Sequence, residues 1–323
     1  MSKVILKKDK ILIAGAHGMA GSAICRKLLE KGYLNLQTPT KKQLDFSNLQ
    51  DTINWFNEND PKIVIIAAAK VGGILANQTK PADFILENIK IQTNIIETAW
   101  RKNVKKLIFL GSSCIYPKSS EQPIQEESLL KGPLENTNEY YAIAKIAGIK
   151  LCNALRTQYG FNAISLMPTN LYGPGDNYHD TNSHVLAAFI QRFYKAKKYS
   201  KKIVTCWGSG SPFREFMHVD DLASATVFLL ENWDPSSIDA PKDSYGNPLY
   251  HLNIGTGKEI TIKNLAEKVA KLIGYKGDIL WDPTKPDGTI RKLLNVNKIN
   301  KLGWKASINL DEGLEKTISN LNL

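Results

Sequence analysis

The 323-residue sequence predicts an α/β fold, a doubly wound parallel sheet followed by a smaller C-terminal portion. Through the first half of the chain, short β-branched runs alternate with longer amphipathic stretches. This alternation is typical of strands and helices that wind a parallel sheet. Beyond about residue 170 it becomes irregular, and loops rich in Gly, Asn, Asp and Pro replace it. We therefore expect one unit at 1–170, whose sheet later segments complete, and a second unit at 171–323.

The predicted elements of the first unit alternate strictly. The strongest strands are KILIAGA and KIVIIAAA, because both are β-branched and end in small residues. The long helix near residue 82 has Pro81 at its start, which suits a first helical turn. Strands are predicted at 10–16, 33–38, 62–69, 105–112 and 161–169, and helices at 19–31, 48–58, 82–102 and 137–159. The second unit is predicted to contain helices at 184–198, 220–232 and 261–273, and strands at 203–207 and 249–254.

Composition excludes several classes of protein. Hydrophobic residues make up 43% of the chain, enough for a substantial core, and no apolar run approaches the ~20 residues of a membrane span. The lysine-interrupted N-terminus does not resemble a signal peptide. No disulfide framework, CxxC zinc site or other metal site is indicated, and a reducing, cytoplasmic location is expected, because the cysteines are few and widely spaced: Cys25, Cys114, Cys152 and Cys206.

The net charge of +11 indicates anionic partners. The lysines of the chain are scattered and form no basic arm or nucleic-acid module. We therefore expect neither nucleic acid nor a membrane as partner. An anionic nucleotide substrate is the better interpretation, and a generally lysine-rich proteome is the alternative.

A glycine-rich turn follows the first predicted strand and opens the first helix. Its members, Gly15, Gly18 and Gly21, are spaced GxxGxxG. Glycines there allow a tight turn, close approach of a pyrophosphate to the helix N-terminus, and packing of the helix on the sheet. Any tight turn uses glycine, so the position between strand and helix is what favours a dinucleotide and a Rossmann-type fold.

The end of the second predicted strand indicates which dinucleotide is bound. NAD enzymes often place an acid there for the ribose 2′-hydroxyl, whereas NADP enzymes use cations for the 2′-phosphate. The segment LQTPTKKQLDF has no acid at the strand end, and Lys41 and Lys42 lie just beyond. We therefore predict NADP(H), with an ordinary solvated lysine pair as the alternative. Asp45 is better placed near the adenine than near the ribose.

Four side chains indicate chemistry at a ketone. Ser112 and Cys114 follow the fourth strand in GSSCIYP, and Tyr141 and Lys145 share one helix face in EYYAIAK. The ammonium is expected to lower the pKa of the phenol, and the serine to share a ketone oxygen with it. The set can thus deliver a proton to a carbonyl while a hydride arrives from a nicotinamide. A simple reductase does not need the thiol, and an isolated cysteine is usually a small core residue.

Longer runs resemble the extended short-chain dehydrogenase/reductase family, and within it the branch that acts on GDP-4-keto-6-deoxy-D-mannose. They span nearly the whole chain in order: AAAKVGGILAN (67–77), FLGSSCIYP (109–117), YAIAKIAGIKLC (141–152), MPTNLYGP (167–174), NSHV (182–185), WGSGSPFREFMHVDD (207–221), NIGTG (253–257) and KPDGT (285–289). The resemblance implies that the chain epimerises this GDP-sugar at C-3 and C-5 and reduces the C-4 ketone with NADPH. It also implies a homodimer that pairs through the helices at 82–102 and 137–159.

The resemblance assigns roles to the catalytic candidates. Inverting a carbon beside a ketone needs a base on one face and an acid on the other. By resemblance, Cys114 is the base and His184 is the acid. Ser112 and Tyr141 stabilise the enolate oxygen and then the alkoxide, while Lys145 also holds the nicotinamide ribose. For His184, which stands at a helix start, the ordinary alternative is a capping or surface histidine.

The resemblance also implies two sets of binding residues. The cofactor set is Gly15, His17, Gly18, Met19, Gly21, Lys41, Leu110, Gly111, Lys145, Pro168, Asn170, Leu171 and His184. The nucleotide-sugar set is Asn170, Arg192, Trp207, Arg214, Lys285 and Asp287. Arginine suits a diphosphate, the tryptophan can stack on guanine, and the aspartate can accept hydrogen bonds from guanine or ribose. Packing or a surface ion pair is the alternative for each.

One departure concerns the 2′-phosphate. Members of the family often carry arginines in the glycine loop and after the second strand, where this chain has His17 and Pro39. Lys41 or Lys42 would then substitute for them.

Three other functions stay open on sequence alone. The chain could be a related GDP-sugar 4-reductase or single-site epimerase-reductase, or a UDP-sugar epimerase that retains NAD. It could also be a non-catalytic nucleotide sensor, because fold does not imply function. Stoichiometric consumption of reduced cofactor separates a reductase from an isomerase, and absence of turnover with several nucleotide sugars would support a sensor.

Overall fold

The computed structural model describes residues 5–179, 183–319 and 321. The strands are β1 Ile11–Ala14, β2 Leu36–Gln37, β3 Ile63–Ile66, β4 Lys106–Leu110, β5 Ala163–Pro168, β6 Asn170–Tyr172, β7 Ile203–Trp207, β8 Phe213–His218, β9 His251–Ile254, β10 Glu259–Thr261, β11 Asp278–Asp282 and β12 Arg291–Lys292. The α-helices are α1 Met19–Glu30, α2 Leu49–Asn59, α3 Ile74–Thr79, α4 Pro81–Arg101, α5 Glu139–Tyr159, α6 Val185–Lys198, α7 Val219–Asn232, α8 Ile262–Ile273, α9 Asn297–Lys301 and α10 Leu310–Ser319. Short 3-10 helices form at Ser113–Ile115, Glu126–Ser128 and Asn136–Asn138.

The main sheet is parallel, with strand order β2-β1-β3-β4-β5-β9. Its inner strands are buried along their whole length, as their continuous apolar sequences require. The order reverses at β1, and ligands of such sheets bind beyond the carboxyl ends of the strands at that reversal. The helices α4 and α5 pack against each other, as do α1 and α7. The predicted α/β Rossmann-type class is confirmed.

A second apolar core forms among the later elements. The helices α6 and α8 pack together through residues such as Phe189, Phe193, Leu265 and Val269. Beside them lie a parallel pair, β11-β7, and a small sheet, β10-β8-β12, with β6 also paired to β8. β9 returns to the main sheet beside β5, so a late segment completes the early fold.

Long elements match their predicted positions better than short ones. The predicted strand at 33–38 reduces to Leu36–Gln37, because only these two residues pair with β1. The short elements α3, β6, β8, β10, β11, β12, α9 and α10 were not predicted. Most of these strands depend on distant partners: β8, for example, pairs with β6, β10 and β12. Within the described ranges, no helix has the length and apolar character needed to cross a bilayer.

Candidate active site

The glycine turn between β1 and α1 has the shape of a phosphate cradle. Gly15 has φ +85°, and a Cβ there would overlap the backbone of Ala68; a Cβ on Gly21 would overlap the carbonyl of Gly15. Gly18 is exposed and is the N-cap of α1, where no side chain caps the helix. The first backbone N–H groups of α1 are therefore available to an anion, which fits a dinucleotide pyrophosphate.

The end of β2 fits the additional phosphate of NADP. The Nε2 atom of His17 lies 3.1 Å from the carbonyl oxygen of Thr38, which fixes the imidazole at this strand end. Lys41 and Lys42 are exposed just beyond it. The nearest acid, Asp45, accepts hydrogen bonds from the backbone N–H and hydroxyl of Ser47, at 3.0 and 2.8 Å. It therefore closes its own turn, and the strand end is cationic.

Ser112 and Tyr141 meet at the carboxyl end of β4. The serine Oγ accepts a hydrogen bond from the backbone N–H of Cys114 at 3.2 Å. Burial raises the pKa of Tyr141, the negative charge of an ionised Cys114 would raise it further, and a side-chain hydrogen bond with Ser112 lowers it. Burial dominates, so the tyrosine is a phenol that can donate a proton. The expected lowering of this pKa by Lys145 is not observed: its Nζ lies 5.9 Å from the ring centroid.

Lys145 is buried beneath the site, with 3% of its surface exposed. Its Nζ donates a hydrogen bond of 2.8 Å to the carbonyl oxygen of Leu110 and lies 4.7 Å from the Phe109 ring centroid. Burial lowers the pKa of Lys145 to about 7. Its charge at neutral pH therefore responds to what binds next to it.

The thiol of Cys114 faces hydrogen-bond donors rather than the core. Its Sγ lies 3.2 Å from Nδ2 of Asn138, the last residue of the 3-10 helix before α5. It also lies 3.6 Å from the Nζ of Lys292 on β12. Neither partner was predicted, because neither belongs to a recognised motif and Lys292 is 178 residues away.

His184 is the N-cap of α6, but its side chain makes no capping hydrogen bond. The capping alternative is therefore not what the structure contains. His184 as a whole residue is exposed, while desolvation by the surrounding protein and, secondarily, the cation of Lys292 lower the pKa of the imidazole. Lys292 thus acts electrostatically on His184 as well as contacting Cys114. The residues just before it, 180–182, lie outside the described part of the chain.

Three nucleotide-sugar candidates gather around one aromatic ring. Trp207, at the end of β7, is 43% exposed. The guanidinium of Arg192 and the ammonium of Lys285 each lie 5.8 Å from its ring centroid. Arg192 also donates a 3.0 Å hydrogen bond to the carbonyl oxygen of Thr205. An exposed indole with two cations near it is suited to a base attached to phosphates.

The remaining nucleotide-sugar candidates join loops. The carboxylate of Asp287 accepts hydrogen bonds from the backbone N–H and the hydroxyl of Ser209, both at 2.8 Å. Arg214 donates a 3.2 Å hydrogen bond to the carbonyl oxygen of Asp287. Asn170 donates a 2.8 Å hydrogen bond to the carbonyl oxygen of Glu215. Asp287 therefore fixes the turn after Trp207, in addition to the ligand contact predicted for it.

The other cofactor candidates lie at or near the carboxyl ends of strands or the start of α1. A Cβ on Gly111 would overlap the side chain of Met167, so this strand end is tightly packed. Met19 is the first residue of α1, and the others are Leu110, Pro168 and Leu171. The structure thus brings Ser112, Cys114 and Tyr141 together, with Lys145 beneath them.

Comparisons with known proteins agree with this geometry. The family model described as the NAD dependent epimerase/dehydratase family matches residues 11–242. A putative GDP-L-fucose synthase 2 from Arabidopsis thaliana is 53% identical over 98% of this chain and 92% of its own length. The GDP-L-fucose synthase of Escherichia coli K12 is 48% identical over 97% of this chain and 96% of its own. A solved GDP-mannoheptose C4 reductase from Campylobacter jejuni with NADP bound has a TM-score of 0.88, with 36% identity over 98% of both chains.

Proposed function

We propose that this chain, which belongs to the NAD dependent epimerase/dehydratase family, is a GDP-L-fucose synthase. The enzyme epimerises GDP-4-keto-6-deoxy-D-mannose at C-3 and C-5, then reduces the C-4 ketone with NADPH to GDP-L-fucose. Relatives with that name match almost the whole chain at 48–53% identity. The chain is thus an NADP-dependent oxidoreductase that also acts as an isomerase.

The observation that carries this proposal is the position of the Cys114 thiol. It stands beside Ser112 and Tyr141, the pair that would hold the ketone oxygen, and has an ammonium at 3.6 Å. Reduction alone requires the oxygen-holding pair only. A thiol that can ionise beside a ketone supports proton transfer on carbon as a second activity.

The residues of this chain divide the proposed reaction between carbon and oxygen. The C-4 ketone acidifies the hydrogens on C-3 and C-5, so Cys114 removes each proton and His184 protonates the opposite face. The phenol of Tyr141 and the hydroxyl of Ser112 donate hydrogen bonds to the oxygen as it becomes an enolate. Tyr141 then protonates the oxygen at the end of reduction, which a phenol with a raised pKa can do.

NADP(H) is the cofactor, and it supplies the hydride to C-4 when bound. Gly15, Gly18 and Gly21 would cradle its pyrophosphate, and His17 and Lys41 would face its 2′-phosphate. Lys145 would hold the nicotinamide ribose. Relatives with NADP bound support the choice of dinucleotide.

The GDP moiety would lie across the later elements. Trp207 offers an exposed ring for guanine, and the charges of the nearby Arg192 and Lys285 suit the diphosphate. Arg214, with Asp287 and Asn170, would face the remainder of the nucleotide sugar. We accordingly propose that residues 1–170 mainly hold NADP and residues 171–323 mainly hold the GDP-sugar.

A homodimer in the cytoplasm is also proposed. The outward faces of α4 and α5 expose Leu86, Tyr140 and Ile143, which a second copy would cover. The four cysteines are widely spaced and include no CxxC pair, which is typical of a protein in a reducing compartment.

Product identification tests the function directly. Purified protein is given GDP-4-keto-6-deoxy-D-mannose with NADPH, and the product is examined by NMR. We expect GDP-L-fucose and one NADPH consumed per product. A product that keeps the D-manno configuration at C-3 and C-5 would instead identify a 4-reductase, and isomerisation without NADPH consumption would identify a simple epimerase.

A further inference from the structure

We propose that Lys292, assisted by Asn138, holds the thiol of Cys114 as a thiolate. Lys292 is a positioning residue in this account, because it acts through Cys114. The inference rests on the proposed function for the identity of the substrate, but the state of the thiol can be measured without any substrate.

Two donors converge on the sulfur from separate elements. The Nδ2 atom of Asn138 is 3.2 Å and the Nζ atom of Lys292 is 3.6 Å from the Sγ atom. The Oδ1 atom of Asn138 is buried without a hydrogen-bond partner, so this amide is held at a cost to stability. The Nδ2 group of Asn138 thus donates to the sulfur while its Oδ1 atom stays unpaired. A negatively charged sulfur would compensate for that loss.

The charge of Lys292 is not neutralised nearby. Among the residues that the structure describes, Lys292 makes no ion pair with a carboxylate. Its neighbour on β12, Arg291, pairs instead with Glu259 through a 2.7 Å contact. Adjacent cations of one short strand thus serve different partners: Arg291 a carboxylate, and Lys292 the thiol.

The other charged and titratable groups around Cys114 reinforce the effect. Arg214, on β8, interacts electrostatically with an ionised Cys114 and is a second cation facing it. Tyr141, on α5, is kept neutral by its burial. The carboxylates of Asp287 and Glu135 also act on Arg214, so Lys292 on β12 is the cation that most directly favours a thiolate, with a neutral phenol beside it.

The same ammonium acts in the opposite sense on His184. A cation favours the negative form of a thiol and disfavours the positive form of an imidazole. Burial lowers the pKa of His184, and Lys292 lowers it further. Cys114 is therefore ready to accept a proton, and a protonated His184 is ready to release one. As the carbon–hydrogen bond breaks, its proton passes to the sulfur and its electrons to the ketone oxygen. His184 then protonates the opposite face of the carbon, which leaves a thiol and a neutral imidazole.

The test is the pH dependence of alkylation at Cys114. Iodoacetamide reacts with the thiolate, and mass spectrometry of the Cys114 peptide gives the rate without interference from other cysteines. We expect Lys292→Gln to slow alkylation at pH 7 about tenfold, equivalent to a shift of about one pH unit in the profile. Asn138→Leu should slow it about threefold, and Lys292→Arg should stay within about twofold of wild type, since it keeps the cation.

Two comparisons separate ionisation from access and folding. Arg291→Gln removes the adjacent cation and should leave the profile unchanged. At pH 9.5 and above, where an ordinary cysteine is ionised, wild type and Lys292→Gln should react at similar rates. A slower rate for Lys292→Gln at every pH would indicate altered access and overturn the proposal.

Two further outcomes would also reject the inference. One is an alkylation profile for Lys292→Gln that coincides with wild type, including the case in which KM for the GDP-sugar rises, because Lys292 would then serve the diphosphate only. The other is an equal loss in Lys292→Arg, which would exclude a role for charge. A product with D-manno configuration would reject the proposed function while leaving a Lys292-dependent thiolate in place.

Discussion

Among the residues that the structure describes, two lysines are buried, Lys106 on β4 and Lys145 on α5, and their hydrogen-bond partners indicate different roles. The Nζ atom of Lys106 donates to the carbonyl oxygens of Leu229, Leu230 and Trp233 at the end of α7, at 2.9, 2.8 and 2.6 Å. Lys145 donates to one carbonyl oxygen only. Burial lowers the pKa of both to about 7. Lys106 thus satisfies carbonyl oxygens at the end of α7, whereas Lys145 has N–H groups left to bind a ligand.

This difference predicts that Lys145→Met stabilises the free protein while it abolishes reduction. The pKa of Lys145 is about 7 when folded, against 10.5 for an ordinary lysine. Between those values the unfolded chain binds more protons, so wild-type stability rises with pH across this window. The advantage of Lys145→Met in urea unfolding should therefore be greatest at pH 6 and shrink toward pH 10.

Lys106→Met is the matched control for that measurement. It removes an equally buried ammonium but leaves three carbonyl oxygens without a donor, so we expect a lower unfolding midpoint than wild type at pH 8. A Lys145→Met protein that is less stable than wild type at pH 6 would contradict the account of Lys145 as a strained, ligand-directed group.

At the scale of elements, α5 has two faces with different tasks. Its inner face carries Tyr141 and the buried Lys145, while Tyr140 and Ile143 are 47% and 38% exposed on the other side. The neighbouring α4 exposes Leu86 to 56%. Apolar side chains on adjacent helices make a surface that a second copy would bury. The helix that positions the proposed catalytic tyrosine, Tyr141, is thus also the one proposed to lie at the dimer interface.

A charged residue introduced on the exposed apolar face of α4 and α5 should dissociate the proposed dimer. We expect wild type to elute with the mass of a dimer in size-exclusion chromatography with light scattering. Ile143→Lys should elute as a monomer at micromolar concentration, because two like charges would be buried across the two-fold axis. Lys150→Glu, also on α5 and exposed, is a control for a change of charge alone at a neighbouring position. A wild-type monomer, or an unaffected Ile143→Lys dimer, would refute the assignment of this interface.

Across the whole molecule, the sequence predicts those features that are determined by neighbouring residues, and it misses those that depend on contacts between distant segments. Continuous apolar runs are enough to predict the strands β1, β3 and β4. The glycine turn and the Tyr141–Lys145 spacing are enough to predict that these residues lie near the carboxyl ends of strands. The small sheet around β8 was missed because its strands pair only after distant segments meet. Lys292 was missed for the same reason, since no local pattern records that it will reach Cys114.

The pKa of Tyr141 illustrates a second limit. Helical spacing correctly places Lys145 on the same helix as the phenol, but it says nothing about how deeply either side chain is buried. Burial decides the direction of both shifts, raising the pKa of the phenol and lowering that of the amine. Solvent exposure, unlike periodicity, is a property of the assembled fold.

In the proposed enzyme one site carries out proton transfer on carbon and proton transfer on oxygen, and Cys114 begins the first. In deuterium oxide without NADPH, the wild-type enzyme should introduce deuterium at C-3 and C-5 of GDP-4-keto-6-deoxy-D-mannose. Cys25→Ser, which alters a half-buried cysteine of α1, should do the same.

The most direct measurement is deuterium uptake by Cys114→Ser, followed by mass spectrometry and NMR. We predict that uptake at both carbons falls at least a hundredfold, since a serine hydroxyl is a far weaker base than a thiolate. Reduction of an already epimerised ketone by the same variant should persist, because Ser112, Tyr141 and Lys145 are intact. Uptake at the wild-type rate in Cys114→Ser would contradict the account.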